Sequence, residues 1–70
     1  GFVERMYRNE DRSREECLAE ARALAIEEAV RAGADPAQVR ITSLSEIPLS
    51  YVPGNSNRVL VKAAGPLQVV

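Results

Sequence analysis

Residues 13–33 read SREECLAEARALAIEEAVRAG and carry the signals of one complete helix. Ser13 and Glu16 have the spacing of a capping box, in which each side chain accepts a hydrogen bond from the other residue's backbone N–H. Strong helix formers without glycine or proline fill residues 14–32. Gly33 follows at the position where a residue with positive φ closes a helix. The stretch therefore predicts a helix over 14–32, around which the rest of the fold is arranged.

This helix has two apolar stripes when its residues are placed at 100° intervals. The first stripe contains Cys17, Leu18, Ala21, Leu24, Ala25, Ala29 and Ala32. The second stripe contains Ala19, Ala23, Ile26 and Val30. A helix that covers one small sheet needs a single stripe, so the second stripe predicts an interface with another domain or subunit. Alternatively, its alanines are tolerated anywhere, and only Ile26 and Val30 need an explanation.

The segments on either side of the helix predict strands. Residues 2–8 combine alternation with aromatic and β-branched side chains, which favours a strand. Asp35 and Pro36 predict a short capped turn, after which the apolar pattern changes to period two from Val39. The parity of that pattern shifts near Ser43, which indicates a bulge. Pro48 lacks a backbone N–H, so it places its strand at a sheet edge or at an interruption.

The last part of the chain predicts a hairpin. Residues 53–55 are Pro-Gly-Asn, a turn sequence in which proline and glycine supply the required φ angles. Residues 44–52 would pair with 57–64, where Val59, Val61 and Ala63 share a face. The expected fold is α+β, a small β-α-β-β domain with one helix packed on a mostly antiparallel sheet of about three strands. The first strand and the strand after the helix could pair in parallel through a right-handed crossover.

Composition limits the function classes. The chain has 70 residues, no histidine, a single cysteine, and a net charge of −1 from 9 basic and 10 acidic side chains. The sequence lacks the basic patch that is typical of nucleic-acid binding. Its apolar runs are too short for a membrane span or a signal peptide. A cytoplasmic location is therefore expected. Residues 1–70 are interpreted as a single small accessory domain, a fragment of a larger protein, because the chain opens on Gly1 and carries surplus apolar surface.

Few residues suggest chemistry. Cys17 lies on the first apolar stripe, where core packing is a better interpretation than a nucleophilic role, since no histidine can act as its base. Glu16, Glu20 and Glu27 share a helical face that is best explained as solvated. The hairpin tip contributes Tyr51, Asn55, Asn57 and Arg58, which could hold an anion or make a docking contact, although turn formation alone explains them. We therefore predict no catalytic, cofactor-binding or metal-binding residue in this chain.

Several stretches resemble one family over nearly the whole chain. These are Ser-Arg-Glu-Glu at 13–16, AVRAGADP at 29–36, Glu-Ile-Pro-Leu at 46–49, Tyr-Val-Pro-Gly-Asn at 51–55 and RVLVKAAG at 58–65. They resemble the C-terminal segment of short-form hydantoinase/oxoprolinase proteins of the hydantoinase A type. The most specific part is the Pro-Leu-x-Tyr-x-Pro-Gly-Asn run, whereas residues 9–11 replace a glycine-containing turn.

The resemblance implies a parent protein with an actin-like ATPase fold that uses ATP to open cyclic amides. ATP and a divalent metal are possible cofactors of that parent protein. The family's phosphate-gripping motif is absent from this sequence, so no catalytic residue is carried over. The implied function is a non-catalytic C-terminal structural or docking domain, whose partners are the remainder of the parent protein and, through the second stripe or a free strand edge, a possible homo-oligomer. Two alternatives stay open: a small-ligand-binding or dimerisation regulatory module, and an enzyme in its own right.

Overall fold

A computed structural model describes residues 1–8, 14–49 and 56–69 of the chain. Its elements are β1 (Phe2–Arg8), α1 (Arg14–Arg31), β2 (Arg40–Leu49) and β3 (Ser56–Ala64). One helix packs on a three-stranded sheet, which confirms the α+β class and the β-α-β-β order. The predicted N-cap at Ser13 and the Pro-Gly-Asn turn at 53–55 lie outside the described residues.

The C-terminal end of α1 is closed by hydrogen bonds that depend on Gly33. The Gly33 N–H donates to Val30 O at 3.0 Å, and the Ala34 N–H donates to Ala29 O, also at 3.0 Å. These two bonds define a Schellman motif, which requires a left-handed residue at its centre. Gly33 has φ of 110°, as the sequence predicted. Ala32 follows the last helical residue and is exposed, so its predicted place on the core stripe is wrong.

The predicted turn after the helix is present and is tied to the end of the chain. The Ala37 N–H donates to Asp35 Oδ1 at 3.0 Å, and the Gln38 amide donates to Asp35 Oδ2 at 2.8 Å. Both bonds favour the carboxylate and hold the pKa of Asp35 below its ordinary value. The Asp35 N–H donates to Pro66 O at 2.8 Å, so the segment after β3 runs beside this turn.

The strand order is β1-β3-β2, and both pairings are antiparallel. The expected parallel pairing of β1 with β2 is therefore wrong, because β3 lies between them. Strand β3 is suited to the centre because Val59 and Val61 are fully buried. Strand β2 is suited to an edge because Pro48 cannot donate a ladder hydrogen bond, as predicted. The predicted bulge is also present, as a register shift between Ile41 and Ser43.

The core lies between α1 and one face of the sheet. On the helix side it is built mainly from small residues, since Ala21 and Ala25 are fully buried. On the sheet side, Val3 and Tyr7 of β1 join the buried valines of β3. Helix α1 lies over β1 and β3 and barely touches β2. The short alanine side chains allow the helix to approach the sheet closely, which leaves a small core for the chain to fill.

Candidate interaction surface

The face of the sheet turned away from α1, here called the outer sheet face, carries large apolar side chains. Strand residues alternate between the two faces, and the outer set follows from the register. It comprises Phe2, Glu4, Met6 and Arg8 of β1, Ser43, Ser45, Ile47 and Leu49 of β2, and Ser56, Arg58, Leu60 and Lys62 of β3. Phe2, Met6 and Ile47 are 50%, 54% and 40% exposed. These values leave a substantial apolar area open on one side of the sheet.

The centre of the outer sheet face has a nearly symmetrical arrangement. Met6 on β1 and Ile47 on β2 both lie opposite Arg58, so that two apolar side chains flank one guanidinium. Arg58 also forms an ion pair with Glu4. Arg8 and Lys62 add two exposed positive charges toward the ends of the strands. The outer sheet face therefore has apolar side chains on both sides of a central arginine and carries more positive than negative side chains.

A polar cluster joins the first turn of α1 to the inner side of β2. The Tyr7 hydroxyl donates to Glu46 Oε1 at 2.6 Å. Arg14 holds the same carboxylate with two parallel bonds, Nε to Oε1 at 2.9 Å and Nη2 to Oε2 at 3.0 Å. Arg14, and then Tyr7, hold the pKa of Glu46 below its ordinary value. The bond to this carboxylate and desolvation raise the pKa of Tyr7.

This cluster fixes the start of the helix to the edge strand. Bidentate arginine–carboxylate pairs are geometrically specific, and the tyrosine hydroxyl provides a third donor to Glu46. The cluster contains one carboxylate whose acceptors are already bonded, so its arrangement favours a structural role. It was missed by the sequence analysis, because residues 7, 14 and 46 meet only when β3 brings β1 and β2 to its two sides.

The predicted second stripe of α1 is partly exposed and partly packed on the core. Ala19 and Ala23 are exposed, whereas Ile26 and Val30 are half-buried. Ile26 packs against the core of the chain itself. Part of the apolar surface that suggested a missing partner is thus used internally. The exposed remainder of the stripe consists mainly of two methyl groups, and it stays a prediction as an interface.

The predicted contact group at the hairpin tip is divided by the strand that follows it. Tyr51 and Asn55 lie outside the described residues. Asn57 and Arg58 are consecutive residues of β3, so they project to opposite faces of the sheet. Asn57 is buried beside Tyr7 in the register, whereas Arg58 lies on the outer sheet face. These two side chains therefore do not line one common surface.

The burial of Cys17 and the exposure of the helix glutamates agree with the sequence analysis. Cys17 is half-buried, and burial, together with the nearby Glu20, raises the pKa of its thiol. Glu16, Glu20 and Glu27 are all exposed. Glu27 forms an ion pair with Arg31 one turn along the helix. A thiol with a raised pKa and solvated carboxylates favour packing and solubility rather than nucleophilic chemistry.

A shallow pocket of about 220 Å³ lies at the C-terminal end of α1. Its lining is formed by Gly1, Ala29, Ala32, Ala34, Ala63, Ala64, Gly65 and Leu67. Gly1 is packed so closely on the helix that a Cβ there would lie 2.4 Å from Ala25 O. The pocket is therefore a gap between small residues at a close contact of strand and helix.

The comparisons with known proteins are negative. No family model, curated protein or solved structure matches the chain. Within the described ranges 1–8, 14–49 and 56–69, no three histidine, cysteine, aspartate or glutamate side chains form a group that could hold a metal ion. No helix in the described part of the chain has both the length and the apolar content needed to cross a membrane.

Proposed function

We propose that this chain is a non-catalytic docking domain whose outer sheet face binds the remainder of a larger protein. The observation that carries the proposal is the exposure of Phe2, Met6 and Ile47 on that face. The sequence resemblance supports a hydantoinase/oxoprolinase-like parent, an ATP-dependent hydrolase of cyclic amides. ATP and a divalent metal would then be bound by the parent, and the chain would contribute structure and position.

The outer sheet face is better suited to docking than the second stripe of α1. Small domains are stable as packed layers, and here α1 covers only one face of the sheet. The uncovered face offers three large side chains, whereas the exposed part of the stripe offers Ala19 and Ala23. Burial of apolar area contributes about 25 cal/mol per Å², so large side chains dominate the energy of such a contact.

The charges of the outer sheet face indicate the chemistry of its partner surface. Arg8 and Lys62 lie toward the ends of the strands, and the central Arg58 is already paired with Glu4. A complementary surface would have an apolar middle and carboxylates toward its rim, because opposed like charges weaken an interface. We therefore propose that the parent domain presents an apolar patch bordered by aspartate or glutamate.

Hydroxyl-radical footprinting of the full-length protein and of the isolated 70-residue chain tests this function. Phe2, Met6 and Ile47 should be oxidised readily in the isolated chain and protected in the full-length protein. Leu67, which is 74% exposed but lies away from the outer sheet face, provides the control and should react equally in both. If Phe2, Met6 and Ile47 are each oxidised as readily in the full-length protein as in the isolated chain, docking through this face is contradicted.

The class of the parent needs a separate experiment. Sequencing the coding region on both sides of this segment should reveal an actin-like ATP-binding domain in the same reading frame. A different upstream domain, together with protection of the outer sheet face, would retain docking and reject the hydantoinase/oxoprolinase-like parent.

A further inference from the structure

The two edges of the sheet differ in how well they are protected from pairing with another strand. Strand β2 carries a bulge between Ile41 and Ser43 and a proline at position 48, which are both common edge protections. Strand β1 has seven residues in uninterrupted register with β3 and contains neither proline nor bulge. Of the two edges, β1 is therefore the one that can accept a further strand.

The backbone groups at the β1 edge can be assigned from its pairing with β3. The Ala63 N–H donates to Gly1 O at 2.8 Å, and the Gly1 amino group donates back to Ala63 O. Such mutual pairs alternate along an antiparallel ladder, so the odd residues of β1 bond β3 and the even residues direct their N–H and C=O outward. The Cys17 thiol lies 4.0 Å from Met6 O, in agreement with that assignment. No second strand occupies this edge among the described residues.

We infer that β1 pairs antiparallel with β1 of a second copy of this chain, about a two-fold axis at Met6. This inference goes beyond docking to a parent protein and uses the backbone groups of the strand edge, although Glu4, Met6 and Arg8 also belong to the outer sheet face. Met6 would lie opposite Met6 of the second copy, and the two residues would exchange both backbone hydrogen bonds. Met6 O, to which the Cys17 thiol donates at 4.0 Å, would accept the new N–H as a second donor. The two sheets would join into one antiparallel sheet of six strands.

Charge favours this register over the two that are centred on Glu4 and on Arg5. An axis at Glu4 would oppose two glutamates, and an axis at Arg5 would oppose two arginines. With the axis at Met6, Glu4 of each copy lies opposite Arg8 of the other, so two favourable pairs replace a repulsive one. Arg5 then lies opposite Tyr7 of the second copy. Its charge is already balanced within its own chain, since Arg5 Nε lies 3.6 Å from Glu20 Oε1.

The position of α1 is compatible with this dimer. The helix lies over β1 and β3, so two helices related by the axis would be separated by two strand spacings, about 10 Å. Helices pack at distances of roughly 8–10 Å, so the two copies of α1 would touch along their β1 flanks. Cys17 and Leu24 are half-buried, and Cys17 lies next to Met6 near the axis. The same contact would thus cover apolar surface on both helices.

Sedimentation velocity of the 70-residue chain tests the inference, with Met6→Lys and Ile47→Lys as matched variants. Both residues lie opposite Arg58 on the outer sheet face, but only Met6 is at the proposed axis. We expect a concentration-dependent dimer whose Kd rises about tenfold or more in Met6→Lys, because two lysines would face each other, and changes little in Ile47→Lys. A wild-type chain that stays monomeric at millimolar concentration, or equal weakening by both variants, would overturn the proposal.

The single cysteine tests the register. Mild oxidation should link Cys17 to Cys17 of the second copy in the wild-type chain and in Ile47→Lys, but not in Met6→Lys. A dimer that sediments as such and never forms this disulfide would place the axis elsewhere and overturn the Met6 register. Docking of the outer sheet face is judged separately, since protection of Phe2 and Ile47 in the full-length protein does not depend on self-association.

Discussion

Replacement of Gly33 by alanine tests whether the end of α1 depends on its left-handed residue. Gly33 has φ of 110° and lies between the two hydrogen bonds that close the helix. An L-residue in the left-handed region costs about 1–2 kcal/mol. Replacing glycine also stiffens the unfolded chain, which offsets roughly 0.4–1 kcal/mol. A new Cβ would lie 3.4 Å from Leu67 Cδ2, an ordinary contact with an exposed side chain, so crowding contributes little.

The net expectation for Gly33→Ala is a loss of about 1 kcal/mol in the free energy of unfolding. In a domain of this size, such a loss lowers Tm by roughly 4–8 °C. Thermal and urea unfolding followed by circular dichroism provide the measurement. Gly33→Asn should fall between the wild type and Gly33→Ala, because asparagine tolerates left-handed conformations better than alanine. The amide of Ala34, bonded to Ala29 O, should also exchange faster in Gly33→Ala.

Gly65 provides the matched control for this argument. Its φ lies outside the left-handed region, but a Cβ there would be 3.0 Å from Val39 Cα and 3.1 Å from Gln38 O. Gly65→Ala should therefore destabilise by crowding, and Gly65→Asn should be worse than alanine rather than better. If Gly33→Ala leaves Tm unchanged, or if asparagine is worse than alanine at position 33, conformational strain is not what glycine relieves there.

Two further substitutions examine the helix flank and the polar cluster. Ile26→Ser should lower the free energy of unfolding by about 1–2 kcal/mol, because this residue packs on the core. Ala23→Ser, at an exposed position, should change it by less than about 0.5 kcal/mol. Equally small effects of both substitutions in urea titrations would show that Ile26 does not contribute to the core. Glu46→Gln should destabilise the fold at pH 7. The folded state holds the pKa of Glu46 below its ordinary value of about 4.5. Its stabilisation is therefore present above that pH and is lost as pH falls through the lower folded-state value. Urea midpoints of wild type and Glu46→Gln should therefore converge at acidic pH, and a constant difference would contradict this linkage.

Local signals in the sequence predicted most of the fold. Gly33, the shift of parity near Ser43 and Pro48 each act through their own backbone geometry, and each was found where the sequence placed it. The neighbours of β1 were not predicted. Whether β1 pairs with β2 or β3 depends on which strand fills the centre. Strand β3 does so, with Val59 and Val61 fully buried under α1 and a neighbouring strand on each side.

The candidate interaction surface was harder to predict than the elements that carry it. Alternation in β1 separates Phe2 and Met6 from Val3 and Tyr7, but both sets are apolar enough to be core. Only the position of α1 decides that Val3 and Tyr7 are buried and that Phe2 and Met6 are open. Helical periodicity, in contrast, placed Ile26 on a surface for a partner, whereas Ile26 packs on the core of the chain itself. Periodicity alone does not show how far the sheet extends under the helix.

The small side chains of α1 connect the stability of this domain to the proposed docking. Because Ala21, Ala25 and Ala29 supply little volume, the core on the inner face of the sheet stays thin. A domain of about 70 residues has a marginal core even when that core is well filled. Here three of the large apolar side chains, Phe2, Met6 and Ile47, lie on the outer sheet face instead of in the core. Covering Phe2, Met6 and Ile47 would therefore stabilise the fold and hold the partner at the same time. Since anything that binds only the folded state raises its stability, a chain that docks or dimerises should melt at a higher temperature as its partner is added.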